Sequence, residues 1–303
     1  MVVITTLNVA PWLEETFEPS LLMSVLLVGL GCSISWYEGY FSIPLTLLVL
    51  VAAVLIQNAA NVLNDYFDFV NGVDQLTEKT PFSGGSKLLV QGILNASSVR
   101  LYGIISLFAA AIIGLYLSVI RNFLIISLVL DAVLVTYAYT PFLARHYLGE
   151  IFAGLNLGPL TVLGTYLVLS AKFSSLPLLY GIMPGMMIAN VLLMNEIPDI
   201  DADFRAGRRN LATLLGRRRT SWLVLLIGLA AYAWTTFAAL AGILPTPSVI
   251  SDISMPVFLM GALGGLRKHE SALEISWSLG MNIIAMILSL ILLGVSLPMS
   301  RLL

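Results

Sequence analysis

The sequence predicts an all-helical integral membrane protein, on the evidence of its composition, the length of its apolar segments and the distribution of its basic residues. Of its 303 residues, 58% are hydrophobic and 11% are charged, and the mean hydropathy is +0.95. Soluble domains carry about a quarter charged residues. The composition therefore excludes a water-soluble domain, a disordered chain, a coiled coil and a basic nucleic-acid-binding protein.

Nine apolar segments are candidates for membrane-spanning helices, which need about 20 residues each. Helices are expected instead of a β-barrel, because runs such as 47–51 do not alternate apolar and polar residues. The eighth segment is short and contains Pro256. We treat residues 1–303 as a single domain. The segments cover residues 20–37, 43–63, 99–120, 122–140, 148–170, 176–197, 219–243, 252–266 and 273–297.

The basic residues are divided unequally between the two faces that nine spans would define. Of the 15 Lys and Arg residues, only Arg121, Lys172 and Arg301 fall on the face opposite the N-terminus. Cytoplasmic loops of membrane proteins are enriched in Lys and Arg. We therefore predict a multi-pass protein of the cell membrane, with long loops at about 64–98 and 195–218 on the cytoplasmic face and no nucleic-acid partner.

The first long loop begins with an acidic motif at the predicted end of a helix. The motif reads Asn64-Asp65-Tyr66-Phe67-Asp68 and is followed by Asp74 and Glu78. Residues three and four apart share one face of a helix, so Asn64, Asp65 and Asp68 are expected to converge. Carboxylates at membrane depth are costly, which predicts a partner or a function for them.

The second long loop begins with Asn195-Glu196-Ile197-Pro198-Asp199-Ile200-Asp201-Ala202-Asp203. Asn195, Asp199 and Asp203 are spaced by four residues, which predicts a second stripe of oxygen atoms on a helix. Oxygen ligands without His or Cys favour Mg²⁺, Mn²⁺ or Ca²⁺. Because Mg²⁺ usually shares protein carboxylates with substrate phosphates, two facing stripes predict metal ions that bridge the protein to a phosphate or diphosphate.

Several basic side chains on the same predicted face are candidates for neutralising such an anion. These candidates are Lys87, Arg145, Arg205, Arg208 and Arg209. The turn at 84–87 could add backbone N–H groups. The aromatic residues Tyr137, Tyr139 and Tyr166 on neighbouring segments are more often packing or interface residues than contacts for a cation.

These motifs resemble those of the UbiA superfamily of intramembrane prenyltransferases. The resemblance rests on 64–68 with Asp74, on 195–203, on Arg205-Ala206-Gly207-Arg208-Arg209-Asn210-Leu211-Ala212, and more weakly on Tyr139-Thr140-Pro141-Phe142 with Gly149-Glu150. The stretch from Asp68 to Asp74 is similar to the menaquinone-type branch, whose members prenylate dihydroxynaphthoate. Many members carry an acid four residues after the position of Asp68, where this chain has Gly72. The role of Asp74 therefore stays open between metal ligand, base and loop residue.

The resemblance implies nine transmembrane helices around a central cavity, capped on the cytoplasmic side by the loops after helices 2 and 6. It implies Mg²⁺-dependent transfer of an isoprenyl group from an allylic prenyl diphosphate to a lipophilic, usually aromatic acceptor, and we expect two Mg²⁺ ions. The implied metal ligands are Asn64, Asp65, Asp68, Asn195, Asp199 and Asp203. The implied catalytic residues are Asn64, Asp68, Asp74, Asp199 and Asp203. The candidate diphosphate contacts that follow from the resemblance are Lys87, Arg145 and Arg208. The ring of Tyr139 is a candidate contact for the allylic carbocation.

Other functions remain open at this stage. Pro198 beside Asp199 fits the discontinuous helix of a secondary transporter with an acidic ion site. A membrane phosphotransferase that attacks phosphorus would also use Mg²⁺ and aspartates, usually within one motif. Another acceptor class, such as an archaeal glycerol-phosphate lipid, would use the same donor chemistry. The sequence makes no prediction of acceptor identity, prenyl chain length, catalytic base or oligomeric state.

Overall fold

A computed structural model describes residues 10–16, 20–77, 79, 85–268 and 272–300. Every regular element within these ranges is helical. The α-helices are α1 (Ala10–Thr16), α2 (Leu21–Tyr37), α3 (Ile43–Val70), α4 (Ala96–Ile120), α5 (Ile125–Ala138), α6 (Gly149–Leu155), α7 (Thr161–Ser170), α8 (Leu176–Asn195), α9 (Ile200–Arg205), α10 (Leu211–Leu215), α11 (Arg217–Leu240), α12 (Met255–Lys268) and α13 (Ala272–Ser300). Short 3₁₀ helices cover Leu143–Arg145 and Thr246–Ser254, and a π-helical turn covers Asn156–Leu160.

Seven helices in the described ranges are long and apolar enough to cross a membrane. The pair α1 and α2, bent by 48°, would add an eighth span. The helix α5 is apolar but has only 14 residues. Each of the nine predicted segments contains a helix, but length and composition support seven or eight spans. The seven are Ile43–Val70, Ala96–Ile120, Gly149–Ser170, Leu176–Asn195, Arg217–Leu240, Thr246–Lys268 and Ile275–Ser300.

The first acidic motif lies on a helix, as its spacing predicted. The helix α3 continues beyond the predicted segment end at 63 and reaches Val70, so it includes all of residues 64–68. Asn64 Nδ2 donates a hydrogen bond to Asp68 Oδ2 at 3.0 Å, which is the contact expected one turn apart. Gly72, with φ of +78°, follows in the left-handed conformation that favours glycine.

The second acidic motif is not one continuous helix, so that part of the prediction was wrong. The helix α8 ends at Asn195 and α9 begins at Ile200. Pro198 has no backbone N–H and disfavours helical geometry in the preceding residue, which explains the break. Asp203 N still donates to the Asp199 carbonyl at 2.8 Å, so these two residues keep the one-turn spacing.

The proline in the eighth predicted segment does not break a helix. The 3₁₀ helix Thr246–Ser254 leads directly into α12, and Pro256 lies in the first turn of α12. A missing N–H has no cost at that position, because first-turn N–H groups have no partner within the helix. The helical stretch Thr246–Lys268 therefore has 23 residues and is long enough to span a membrane.

Glycines allow α8 to approach the π-helical turn very closely. A Cβ atom on Gly158 would lie 2.5 Å from the Gly185 Cα, and one on Gly181 would lie 2.4 Å from the Pro159 Cα. Any larger residue at these positions would separate the helices. The largest buried apolar cluster extends from this contact through α2, α7, α8, α11, α12 and α13, and it forms one side of the cavity described next.

Candidate active site

A cavity of about 840 Å³ lies between α2, α3, α4, α5, α7, α8 and α13. Both acidic motifs line one end, and alanine, glycine, valine, leucine and isoleucine side chains line most of the rest. The cavity follows α3 from Asp68 back to Val49, about 28 Å at about 1.5 Å per residue. It therefore combines a polar end with an apolar channel about as long as a membrane is thick.

The structure brings most of the predicted site residues to this cavity. Lys87 and Arg145 are not among the described residues that line it. Lys87 Nζ donates to the Asp74 carbonyl at 2.6 Å and to Thr77 Oγ1 at 2.7 Å. Arg145 is half-buried and ends the 3₁₀ helix after α5. The predicted residues that line the cavity are Asn64, Asp65, Asp68, Asp74, Tyr139, Asn195, Asp199, Asp203 and Arg208.

Arg208 connects the two acidic motifs. Its Nη1 atom lies 3.1 Å from Asp68 Oδ2 and 4.0 Å from Asp203 Oδ1. The Arg208 N–H also donates to the Asp203 carbonyl at 2.8 Å, which fixes the loop after α9. Neighbouring Asn210 is buried and donates to Asp203 Oδ2 at 2.7 Å. The motifs, far apart in sequence, therefore face each other across the polar end of the cavity.

The carboxylates of Asp65 and Asp74 both lie beside Gly85. Gly85 has φ of +64°, and a Cβ atom there would lie 3.2 Å from Asp65 Oδ1 and 3.3 Å from Asp74 Oδ1. Ser86 N donates to Asp65 Oδ2 at 3.2 Å. The Ser86 N–H therefore binds a carboxylate of the protein, whereas a phosphate was the predicted partner of this segment. Gly84 and Glu78 lie outside the described residues.

The loop aspartates lie in surroundings that disfavour their charged forms. Burial, with the nearby carboxylates of Asp65 and Asp68, raises the pKa of Asp74 to about 7, although Lys87 opposes the shift. Burial and the carboxylate of Asp203 raise the pKa of Asp199 to about 7. Negative charge is thus in excess at this end of the cavity, and a cation would lower the cost of ionising these groups.

The donor atoms at this end fit a magnesium ion that is shared with a ligand. Asn195 Oδ1 and Asp203 Oδ1 are buried and accept no hydrogen bond within the described residues. No group of three or more His, Cys, Asp or Glu side chains in those ranges is arranged to hold a metal ion by itself. Mg²⁺ commonly takes one or two protein carboxylates and completes its shell with substrate phosphates and water.

Three further residues support the site and were not selected from the sequence. Thr140 Oγ1 donates to Asn64 Oδ1 at 2.8 Å and so orients the first motif. Glu150 Oε1 accepts from the Leu211 N–H at 3.2 Å, next to the loop that carries Arg208. Glu196 lines the cavity between Asn195 and Asp199. Thr140 and Glu150 belong to the weaker third region of resemblance, and Glu196 to the second motif, so a signal was present for each.

The fold and the site together define a class of protein. A helical membrane domain with a long apolar cavity, lined at one end by two opposed acidic motifs, is suited to an amphiphile that carries an anionic headgroup on a metal ion. The sequence matches the UbiA prenyltransferase family over residues 22–291. The chain belongs to this family and is a prenyltransferase, which excludes the transporter and the phosphotransferase.

Known proteins similar to this chain agree with the family assignment. A 1,4-dihydroxy-2-naphthoate octaprenyltransferase of Bacillus subtilis is 25% identical over 265 residues, which cover 84% of this chain and 82% of that protein. The protein of the same name from Escherichia coli is 26% identical over 215 residues, 68% of each chain. A UbiA homolog from Archaeoglobus fulgidus, bound to GPP and Mg²⁺, superimposes with a TM-score of 0.61 at 15% identity, over 93% of this chain and 99% of that one.

Proposed function

We propose that this prenyltransferase transfers an isoprenyl group from an allylic prenyl diphosphate to an aromatic quinone precursor and releases diphosphate. The observation that carries the proposal is the meeting of the two acidic motifs, through Arg208, at the polar end of a long apolar cavity. The headgroup of the donor lies at that end, and its hydrocarbon tail lies along α3.

Magnesium ions are proposed to hold the diphosphate at the acidic motifs. The oxygens of Asn195 and Asp203 that accept no hydrogen bond within the described residues, together with the oxygen-only donor set, support this assignment. When bound, Mg²⁺ supplies Lewis-acid stabilisation of the charge on the departing diphosphate. The two opposed motifs are suited to two ions. The proposed ligands are Asn64, Asp65, Asp68, Asn195, Asp199 and Asp203.

Basic side chains around the headgroup are proposed to stabilise the leaving group. Arg208 lines the cavity and is the first candidate. Lys87 lies beside Asp74, with its Nζ 3.6 Å from Asp74 Oδ1, and acts from the edge of the site. Arg145 remains a proposed contact, which requires its side chain to turn toward the cavity. The ring of Tyr139, which lines the cavity, is proposed to face the carbocation.

The chemistry requires a dry cavity. The bond between C1 of the donor and the diphosphate oxygen breaks, and its electron pair leaves with the diphosphate. An electron-rich ring carbon of the acceptor then bonds to C1 and gives up the group it carried, such as a proton. Asp74 or the released diphosphate takes that proton. Water would capture the allylic cation as an alcohol, and the apolar walls exclude it.

The acceptor is proposed to be a dihydroxynaphthoate-type ring. The names of the Bacillus subtilis and Escherichia coli relatives support this choice, as does the menaquinone-type spacing from Asp68 to Asp74. A glycerol-phosphate lipid is the second candidate, because the donor half of the site would serve it equally well.

The chain is further proposed to cross the membrane nine times, with α5 as the shortest span, and to present its acidic motifs to the cytoplasm. The concentration of Lys and Arg on the face of the motifs supports this orientation. The loops after α3 and α8 would then cap the cavity from the cytoplasmic side.

Purified protein tests the proposed function directly. The assay supplies an isotope-labelled allylic diphosphate, Mg²⁺ and 1,4-dihydroxy-2-naphthoate, and follows both diphosphate release and a prenylated aromatic product. We expect both, and we expect EDTA to abolish both. If the protein prenylates a glycerol-phosphate lipid and not the naphthoate, the glycerol-phosphate lipid is the acceptor. Transfer to neither acceptor would overturn the proposal.

A further inference from the structure

A second polar patch lines the cavity beside the first acidic motif, on the N-terminal side of Asn64 along α3. It consists of Ser20, which immediately precedes α2, and of Gln57 and Asn61 on α3, and we name it the amide shelf. Gln57 Nε2 donates to Asn61 Oδ1 at 3.1 Å, and Asn61 Nδ2 donates to Ser20 Oγ at 2.7 Å. The three side chains thus form one hydrogen-bonded chain along the cavity wall.

The amide shelf has hydrogen-bonding capacity that the described residues do not use. Gln57 Oε1 and the second N–H of each amide have no partner among the residues that the structure describes. Polar groups without partners are costly away from water. Asn58, between the two amides in sequence, instead donates to Ser106 Oγ at 2.9 Å and does not line the cavity. The Asn58 Oδ1 atom is buried and accepts no hydrogen bond from the described residues, so Asn58 differs from the other two amides in its position and not in its pairing. Gln57 and Asn61 line the cavity, whereas Asn58 is buried against α4.

The position of the shelf suits a molecule that must reach the headgroup of the donor. Asn61 lies about 4.5 Å and Gln57 about 10.5 Å from Asn64 along the axis of α3, at about 1.5 Å per residue. Apolar side chains from α2 and α13, among them Met23, Ile283 and Met286, line the same cavity. A flat ring could contact these side chains with its faces while its edge meets the shelf.

The scarcity of basic side chains around the amide shelf favours a ligand that presents uncharged polar groups, such as hydroxyls, to it. The first basic residue in the sequence is Lys79, and among the described residues that line the cavity only Lys79 and Arg208 are basic. Lys79 Nζ lies 3.5 Å from Glu14 Oε1, and Arg208 lies between the acidic motifs. Amides both donate to and accept from a hydroxyl group, whereas a phosphate would need a cation at the shelf.

We propose that the amide shelf binds the acceptor through its ring hydroxyls, and that it selects a hydroxylated aromatic ring over a phosphate-bearing acceptor. The inference rests on the proposed prenyl transfer and specifies where the second substrate of that reaction lies. Gln57 and Asn61 are then specificity residues for the acceptor, distinct from the residues that hold the donor.

Kinetic constants for each substrate test this assignment. Gln57→Met and Asn61→Ala should each raise the KM for 1,4-dihydroxy-2-naphthoate by up to about tenfold, the loss of one hydrogen bond. The KM for the allylic diphosphate and the Mg²⁺ requirement should stay unchanged. The matched control Asn58→Ala removes an amide from the same helix outside the cavity, and it should leave both KM values unchanged.

Analogues of the acceptor separate recognition from damage to the fold. The wild type should favour the dihydroxy ring over a monohydroxy naphthoate, and Gln57→Met should reduce that preference. If Asn61→Ala does not fold, Gln57→Met alone decides, because its volume is nearly that of glutamine. If the variants leave the KM for the acceptor unchanged, or raise the KM for donor and acceptor equally, the assignment of the amide shelf to the acceptor is overturned. Prenyl transfer by the wild type would still support the proposed function in that case. Absence of transfer by the wild type would instead overturn both.

Discussion

Arg208 donates a hydrogen bond to Asp68 at 3.1 Å, although 140 residues separate the two in sequence. Both side chains are largely buried, with exposed fractions of 14% and 10%. Arg208, in the loop after the second acidic motif, thus supplies the cation that pairs with Asp68 of the first motif. Burial of Asp68 depends on this partner, because an unpaired charge in such a place is strongly destabilising.

Replacing Arg208 should therefore affect both stability and turnover. We expect Arg208→Gln to lower the midpoint of thermal unfolding, since it leaves Asp68 and Asp203 without their cation. Arg208→Lys should preserve more stability but still lose activity, because an ammonium group cannot reproduce the planar guanidinium contacts. Thermal unfolding in detergent and kcat for the two variants check this. Full activity in Arg208→Gln would contradict the role given to this residue.

Removing a single carboxylate from either motif should stop turnover without unfolding the protein. We expect Asp68→Ala and Asp199→Ala to lower kcat by about 10²-fold or more, the scale of one lost electrostatic contact in a transition state. Asp201→Asn is the matched control, because Asp201 is exposed, pairs with Arg217 at 2.9 Å and does not line the cavity. Asp201→Asn should keep a near-normal kcat. A near-normal kcat in Asp68→Ala or Asp199→Ala would refute the catalytic roles given to these two aspartates.

The sequence predicted much of this architecture because membrane helices and acidic helix ends leave local signals. Periodicity placed Asn64 and Asp68 one turn apart on α3, and their hydrogen bond confirms that geometry. The four-residue spacing alone could not predict how the second motif folds, because Pro198 interrupts the helix between Asn195 and Ile200. The contact of Arg208 with Asp68 was also beyond reach, because it depends on how helices pack far from each other in sequence.

The far end of the cavity should determine which donor chains fit. Gly164 lines the cavity, and a Cβ atom there would lie 3.5 Å from Leu128 Cδ1, an ordinary contact. We expect Gly164→Leu to reduce kcat/KM for long prenyl diphosphates much more than for geranyl diphosphate, because the added side chain fills the space for a long tail. Competition between donors of different length measures this effect.

A control for that experiment is available on α2. Gly29 is exposed, and a Cβ atom there would meet nothing within 4 Å. Gly29→Leu adds the same bulk outside the cavity and should leave the preference for donor length unchanged. Equal losses for long and short donors in Gly164→Leu would indicate general damage to the helix packing and would contradict the placement of the tail.

The metal-free protein should lose stability as the pH rises toward neutrality. Burial raises the pKa of Asp74 and Asp199 to about 7 in the folded state, from about 4 in the unfolded chain. The folded protein therefore binds more protons than the unfolded chain between these values, and its stability falls as the pH increases through that window. Thermal unfolding with EDTA at pH 5 to 8 measures the slope.

Asp74→Asn should flatten this pH dependence, since the amide does not titrate. Asp201→Asn should not change it, because the hydrogen bond from Arg217 lowers the pKa of Asp201 and moves its titration below this window. An unfolding midpoint that rises steadily from pH 5 to pH 8 in EDTA would contradict the environment described for Asp74 and Asp199.

An experimental structure with Mn²⁺ and a non-hydrolysable allylic thiodiphosphate tests the central claim most directly. Anomalous scattering locates the manganese ions, and density for the analogue locates its headgroup and tail. The account predicts manganese and diphosphate between Asp68 and Asp203, with the hydrocarbon tail along α3 toward Val49. Manganese and diphosphate bound elsewhere, with the two motifs still joined only through Arg208, would contradict it.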